Sequence, residues 1–148
     1  MEFRFPRWEQ LPQIALYMDQ ILLVLNQALE PLSSEGPVIT ATMINNYVKM
    51  KLAPPAEKKK YDREHMVRFL MICLMKKVLS MAEIAAILQK LLEERSLEEV
   101  YNLFCTELEC RLENLDGTDS DCCPVVLAAA VRAIACKIHV EKMIENFS

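Results

Sequence analysis

Glycine is almost missing from this chain: Gly36 and Gly117 are the only two in 148 residues. Two isolated glycines cannot build a phosphate-cradling loop. So few also argue against a turn-rich all-β fold and for helices joined by short connections. Long apolar runs are lacking too. The longest, around residues 21–25 and 125–131, are too short to cross a bilayer. Glu2, Arg4, Arg7 and Glu9 precede any apolar run, which is not the pattern of a secretory signal peptide. The expectation is a cytoplasmic protein without membrane contact.

Metal and catalytic chemistry are equally thin. His65 and His139 do not form a ligand pair, and Cys105-x4-Cys110 and Cys122-Cys123 lack the C-x2-C spacing of a zinc knuckle. The acidic loop at 116–121 suggests calcium, but an EF-hand needs glycine at position 6 and glutamate at position 12. Counted from Asp116, those positions hold Asp121 and Leu127. No serine or cysteine pairs in the sequence with a base and an orienting acid. No metal, cofactor or enzymatic activity is expected. The six cysteines read as reduced thiols. Cys73 and Cys136 sit in apolar helical patterns as small hydrophobes. Acidic neighbours disfavour the thiolates of Cys105, Cys110, Cys122 and Cys123.

What the chain does have is 53% apolar residues and an uneven charge. The net charge is −4, yet residues 49–77 hold nine basic residues against Glu57, Asp62 and Glu64, a local +6. The flanks carry −3 (residues 1–48) and −7 (residues 78–148). Positive charge gathered into one short unit of an acidic chain is the footprint of a phosphate-backbone binder.

Periodicity places the elements. Leu11, Ile14, Met18, Ile21, Leu22, Leu25, Ala28 and Leu29 predict a helix over 10–29, with Pro12 in its first turn and most sides buried. Pro31, Ser33, Ser34, Gly36 and Pro37 form a loop. Thr40 caps a helix over 40–51. Its Ile44, Tyr47, Val48 and Leu52 face the core, while Thr42, Asn45, Asn46 and Lys49 lie on the other side. That polar side is either simply solvated or contacts phosphates and base edges. Leu52-Ala53-Pro54-Pro55 ends the helix. Lys58, Lys59 and Lys60 then read as a small basic wing of hairpin form, against the alternative of a solvated lysine loop.

Asp62 caps a helix over 62–79, built on Met66, Phe69, Leu70, Cys73 and Leu74. Ser80 with Glu83 forms a capping box for the next helix. Ser96 repeats the signal for a helix to about residue 115, on Leu97, Val100, Tyr101, Phe104, Leu108 and Leu112. A last helix spans 124–146, with Met143 and Ile144 among its core residues, and pairs with its predecessor as a hairpin. Phe3, Phe5 and Trp8 form an N-terminal segment that packs on the domain or, in the sharper reading, contacts a partner.

Several strings in this frame carry a family resemblance. Leu11-Pro12, Leu16-Tyr17-Met18-Asp19-Gln20, Thr42-Met43-Ile44-Asn45-Asn46-Tyr47-Val48-Lys49, Lys58-Lys59-Lys60-Tyr61 and Val78-Leu79-Ser80 resemble the bacterial domain of unknown function 1836. The resemblance covers nearly the whole chain and implies no activity. A broader one is to the winged helix–turn–helix of MerR-type transcription regulators. Met43 to Leu52 occupies the position of the recognition helix, Lys58 to Tyr61 that of the wing, and Ser80-Met81-Ala82-Glu83-Ile84 that of the helix start beyond it. Asn45 and Asn46 stand where that pattern has Arg and Tyr, Lys51 stands where it has Gly, and no long dimerisation coiled coil follows.

The resulting expectation is an all-α chain of about six helices. Residues 1–95 would form a winged helix–turn–helix-like DNA-binding domain, and 96–148 a helical hairpin packed on it. Function would be a DNA-binding transcriptional regulator acting on double-stranded DNA as a homodimer. Thr42, Asn45, Asn46 and Lys49 would face the major groove, and Lys58, Lys59, Lys60 and Arg63 the backbone. The C-terminal hairpin and the N-terminal aromatics are the candidate dimer surfaces. A protein-interaction module or a small-molecule sensor, the latter with an effector pocket among the C-terminal helices, is the alternative.

Overall fold

From His65 to Met75 every residue except Arg68 is buried. A helix with no wet face must run through the middle of a domain, and this one does. In the computed structural model, which describes residues 3–33 and 35–147, it is α3 (Arg63–Met75). The other elements are β1 (Leu16–Tyr17), α1 (Met18–Ala28), α2 (Ala41–Lys49), β2 (Lys60–Tyr61), α4 (Met81–Leu92), α5 (Leu97–Glu113) and α6 (Val125–Glu145). The protein is mostly helical: among the described residues there are six helices and one two-stranded sheet. α1, α2, α5 and α6 all pack on α3, while α4 packs on α5 and α5 on α6. Glu2 and Ser34 lie outside the described residues.

The helix starts follow from side-chain capping. Thr40 Oγ1 accepts the Met43 amide at 3.3 Å, and Asp62 Oδ1 accepts that of His65 at 3.0 Å. Ser80 Oγ accepts the Glu83 amide at 3.1 Å while Glu83 Oε1 accepts the Ser80 amide at 2.8 Å. Ser96 Oγ accepts the Glu99 amide at 3.2 Å. Each such cap satisfies an orphan donor and contributes about 1 kcal/mol.

The expected helix over 10–29 is corrected at its start. It begins at Met18, because the Leu16 and Tyr17 backbone pairs antiparallel with Tyr61 and Lys60. Ile14, expected in the core, is 71% exposed, and Leu23 on α1 is exposed as well. A helical period is real in this stretch, but a strand formed over long sequence separation competes for its first turns. Two further corrections concern α6. Met143 and Ile144 face solvent, and Cys136 is exposed rather than packed.

The N-terminal segment is a strap across α5. The Phe5 amide donates to Glu109 at 2.8 Å, and the Arg7 guanidinium donates to both oxygens of the same carboxylate at 2.8 and 3.0 Å. The Tyr101 hydroxyl donates to the Pro6 carbonyl, and the Trp8 amide donates to Asn102 Oδ1 at 3.1 Å. Phe3 and Phe5 are buried in the chain's own core. They are therefore withdrawn as a partner surface.

The acidic loop at 116–121 is held from α5 as well. Arg111 donates to the Gly117 and Thr118 carbonyls, and Glu107 accepts the Ser120 amide at 3.1 Å. Among the described residues, no three metal-ligating side chains cluster.

Candidate functional site

The basic stretch runs from α2 through the turn after it and the hairpin before α3. Asn26 of α1 sets the entry to α2. Its Oδ1 accepts the Val38 and Ile39 amides at 2.8 and 3.0 Å, and its Nδ2 donates to the Ile39 carbonyl at 2.9 Å. Ile44 and Tyr47 then anchor α2 in the core, with Tyr47 tilted on Phe69 of α3 at 6.4 Å between centroids. The helical period turns the opposite positions outward. Thr42, Asn45, Asn46 and Lys49, at i, i+3, i+4 and i+7, are all exposed in one stripe.

α2 ends in a Schellman motif. The Lys51 amide donates to the Val48 carbonyl and the Leu52 amide to the Tyr47 carbonyl, both at 3.0 Å. This geometry needs a left-handed residue, usually glycine, and Lys51 adopts it with φ 63°. The hairpin repeats the theme. Glu57 and Lys60 exchange both backbone hydrogen bonds, at 3.0 and 2.9 Å, which closes a two-residue loop. Lys58 and Lys59 form that loop with φ 51° and 66°. Two positive φ values in a two-residue hairpin define a type I′ turn, which favours Asn-Gly. Among the described residues, these three lysines are the only non-glycine residues with positive φ.

Aromatic packing supports the hairpin from below. Tyr61 is buried edge-on against His65 at 5.3 Å and Phe69 at 5.7 Å. His65, itself buried, places Nε2 3.0 Å from the Pro54 carbonyl and Nδ1 2.9 Å from Asp62 Oδ1. One imidazole thus ties the Pro-Pro break to the start of α3. Lys60, half-buried, holds its ammonium 5.1 Å from the ring centroid of exposed Tyr17. Arg63 sits at the margin. Its Nη2 donates to the Leu11 carbonyl at 3.0 Å, and its guanidinium lies 5.6 Å from the Trp8 ring. It therefore joins the strap to the hairpin.

Several cations elsewhere are paired: Arg7 with Glu109, Lys77 with Glu141, Arg95 with Glu99, Arg132 with Asp119. Among the described residues, Lys49, Lys51, Lys58 and Lys59 have no ion-pair partner. Four exposed lysines without a carboxylate partner attract an anion.

Thr42, Asn45, Asn46 and Lys49 are thus exposed on α2, Lys58 and Lys59 are exposed in the hairpin turn, Lys60 is half-buried, and Arg63 is bound to the strap. Sequence reasoning missed Lys51 as a site residue, as well as Asn26, Tyr17 and His65. Lys51 carried a signal, since it stands where a glycine is expected.

The thiols form no competing site. Burial pushes the Cys73 thiol up to about 11 and that of Cys105 to about 12. Burial, and then the charges of Glu107 and Asp119, push Cys123 up to about 11. All three are held protonated and unreactive.

One protein-family model matches residues 6–104, that of Domain of unknown function (DUF1836). The match is narrower than the near-complete coverage expected from the sequence strings, and leaves the end of α5 and all of α6 outside it. No curated protein matches the chain, and no solved structure does.

Proposed function

The chain belongs to the DUF1836 family, whose label carries no activity, and from that premise we propose that it is a DNA-binding transcriptional regulator. The observation that carries the reading is the set of three lysines in left-handed backbone. Each costs roughly 1–2 kcal/mol relative to a residue suited to that conformation. Strain of this kind is retained where a function needs the side chain. All three are exposed and have no ion-pair partner.

The element order supports the same reading: strand, helix, second helix with an outward polar stripe, basic hairpin, core helix. In a winged helix–turn–helix, α2 enters the major groove and the hairpin lies along the backbone. Asn45 and Asn46 are suited to bidentate contact with adenine, and Thr42 and Lys49 flank them. Lys51, Lys58, Lys59 and Lys60 neutralise phosphates. Arg63 holds the strap behind them. Regulators of this type read two half-sites about one helical turn apart, so the reading carries a homodimer in the cytoplasm.

Selection from a random duplex pool with sequencing of the bound fraction tests this. The wild type is expected to enrich a two-fold symmetric motif. Asn45→Ala or Asn46→Ala is expected to lose roughly 1–3 kcal/mol of discrimination at one adenine per half-site, with the salt dependence of binding unchanged. A wild-type protein that enriches no motif would reject the regulator reading.

A further inference from the structure

The solvent side of α6 is mainly apolar, with Arg132 and Lys137 at its edges. Val126, Ala129, Ala133, Cys136, Val140, Met143 and Phe147 are all exposed. Their spacing alternates three and four residues from end to end, the repeat of a helix seam that packs on another helix. Val125 and Ile144, 86% and 55% exposed, widen the stripe. The opposite side, with Leu127, Val131, Ile134 and Ile138, is fully packed on the core. A contiguous exposed apolar stripe of this length marks an interaction surface. The stripe lies beyond the family match, in the 44 residues after position 104.

The stripe is graded in size. After Val126, its N-terminal half offers small side chains (Ala129, Ala133, Cys136), and its C-terminal half offers larger ones (Val140, Met143), followed by Phe147 in the turn just past the helix end. Asp119, Val125, Ala129, Arg132, Ala133 and Cys136 line a hollow over the small half. Run antiparallel against itself about an axis beside residue 138, the stripe places larger side chains on smaller ones from Ala129 onward, with Val126 beyond the overlap. Phe147 meets Ala129 of a second copy, Met143 meets Ala133, and Val140 meets Cys136. A parallel pair would stack large on large at one end and leave a void at the other, which close packing disfavours. Antiparallel pairing also brings Arg132 beside the partner helix's last turn, where free carbonyls favour a cation. The one cost is Lys137, which meets its symmetry mate at the solvent edge in a contact that salt screens.

We infer that α6 is a homodimerisation helix that pairs antiparallel with a second copy of this chain through the 126–147 stripe. This does not depend on DNA binding. It is tested on the full chain by sedimentation equilibrium across the micromolar range. The wild type is expected to be a dimer. Val140→Glu, which alters an exposed position, is expected to raise the dimer dissociation constant at least about a hundredfold, since each copy buries a carboxylate against Cys136. Its circular dichroism should be unchanged.

Orientation is read from Val140→Cys in a background of Cys110→Ser and Cys122→Ser. Mild oxidation is expected to give a covalent dimer whose peptide map links position 140 to Cys136 of the other copy. A monomeric wild type, a Val140→Glu protein that still dimerises, or a Cys136–Cys136 link in the variant or the wild type would overturn the inference.

Discussion

Glu109→Ala is expected to destabilise the fold by roughly 3 kcal/mol or more. The carboxylate is buried and accepts three hydrogen bonds at once: one from the Phe5 amide and two from Arg7, with Arg4 3.5 Å away. Removing it leaves a guanidinium and an amide without their acceptor, so the loss includes their desolvation and not only the bond energies. The strap should then lift, exposing Phe3 and Phe5. Glu109→Gln keeps an acceptor for Phe5 and should fall between the two. Replacing both Arg7 and Glu109 with apolar residues should cost less than Glu109→Ala, because no unpaired charge remains. Urea denaturation of the four proteins checks the order.

The same site has a defined pH dependence. Burial raises the Glu109 pKa, but hydrogen bonds from Arg7 and Phe5 and the charges of Arg7 and Arg4 outweigh it, so the group sits below the ordinary glutamate range. A folded-state pKa below the unfolded one stabilises the fold above the unfolded value of about 4.3. That contribution disappears as pH falls through the lowered folded value. The stability gap between wild type and Glu109→Gln should therefore be full at neutral pH and shrink in acid. A gap independent of pH would show that the carboxylate's charge is not what holds the strap.

The second prediction has two signs. Lys51→Gly, Lys58→Asn and Lys59→Gly each put the residue its backbone favours at a left-handed position. The triple variant should be more stable than the wild type by roughly 1 kcal/mol per site. It should also bind DNA more weakly. Three fewer phosphate contacts on each subunit lower the slope of log K against log salt by up to about 2.7 per subunit. A more stable protein with undiminished affinity would show that the strained lysines have nothing to do with nucleic acid. Ordinary surface lysines predict no change in either direction at these sites.

Much of this was legible along the chain. Thr40, Asp62, Ser80 and Ser96 announce their helices because a cap is a local event, settled within four residues. The polar stripe of α2 and the gathered lysines were readable for the same reason. Contacts across long separations were not. Leu16 and Tyr17 continue a helical period, and only their pairing with Tyr61 and Lys60 makes them a strand. Arg7 and Glu109, 102 residues apart, give no sign of one another. On α6, Met143, Ile144 and Cys136 were read as packed and lie exposed, because apolar spacing says that a position wants cover and not whether the chain's own core reaches it. Lys51 lies between these cases: its departure from glycine was visible, but its φ angle is a property of the fold.

The central claim is that the unpaired lysine surface meets a phosphate backbone. The most direct test is the affinity of the full chain for a random duplex pool, measured by fluorescence anisotropy over a series of salt concentrations. Binding is expected at low salt, with log K falling linearly against log salt at about 0.9 per phosphate neutralised. With Lys49, Lys51, Lys58 and Lys59 engaged on each subunit, the slope should be steep and should exceed that of the triple variant. No binding at low salt, or an affinity indifferent to salt, would contradict the account and assign the surface to an acidic protein partner instead.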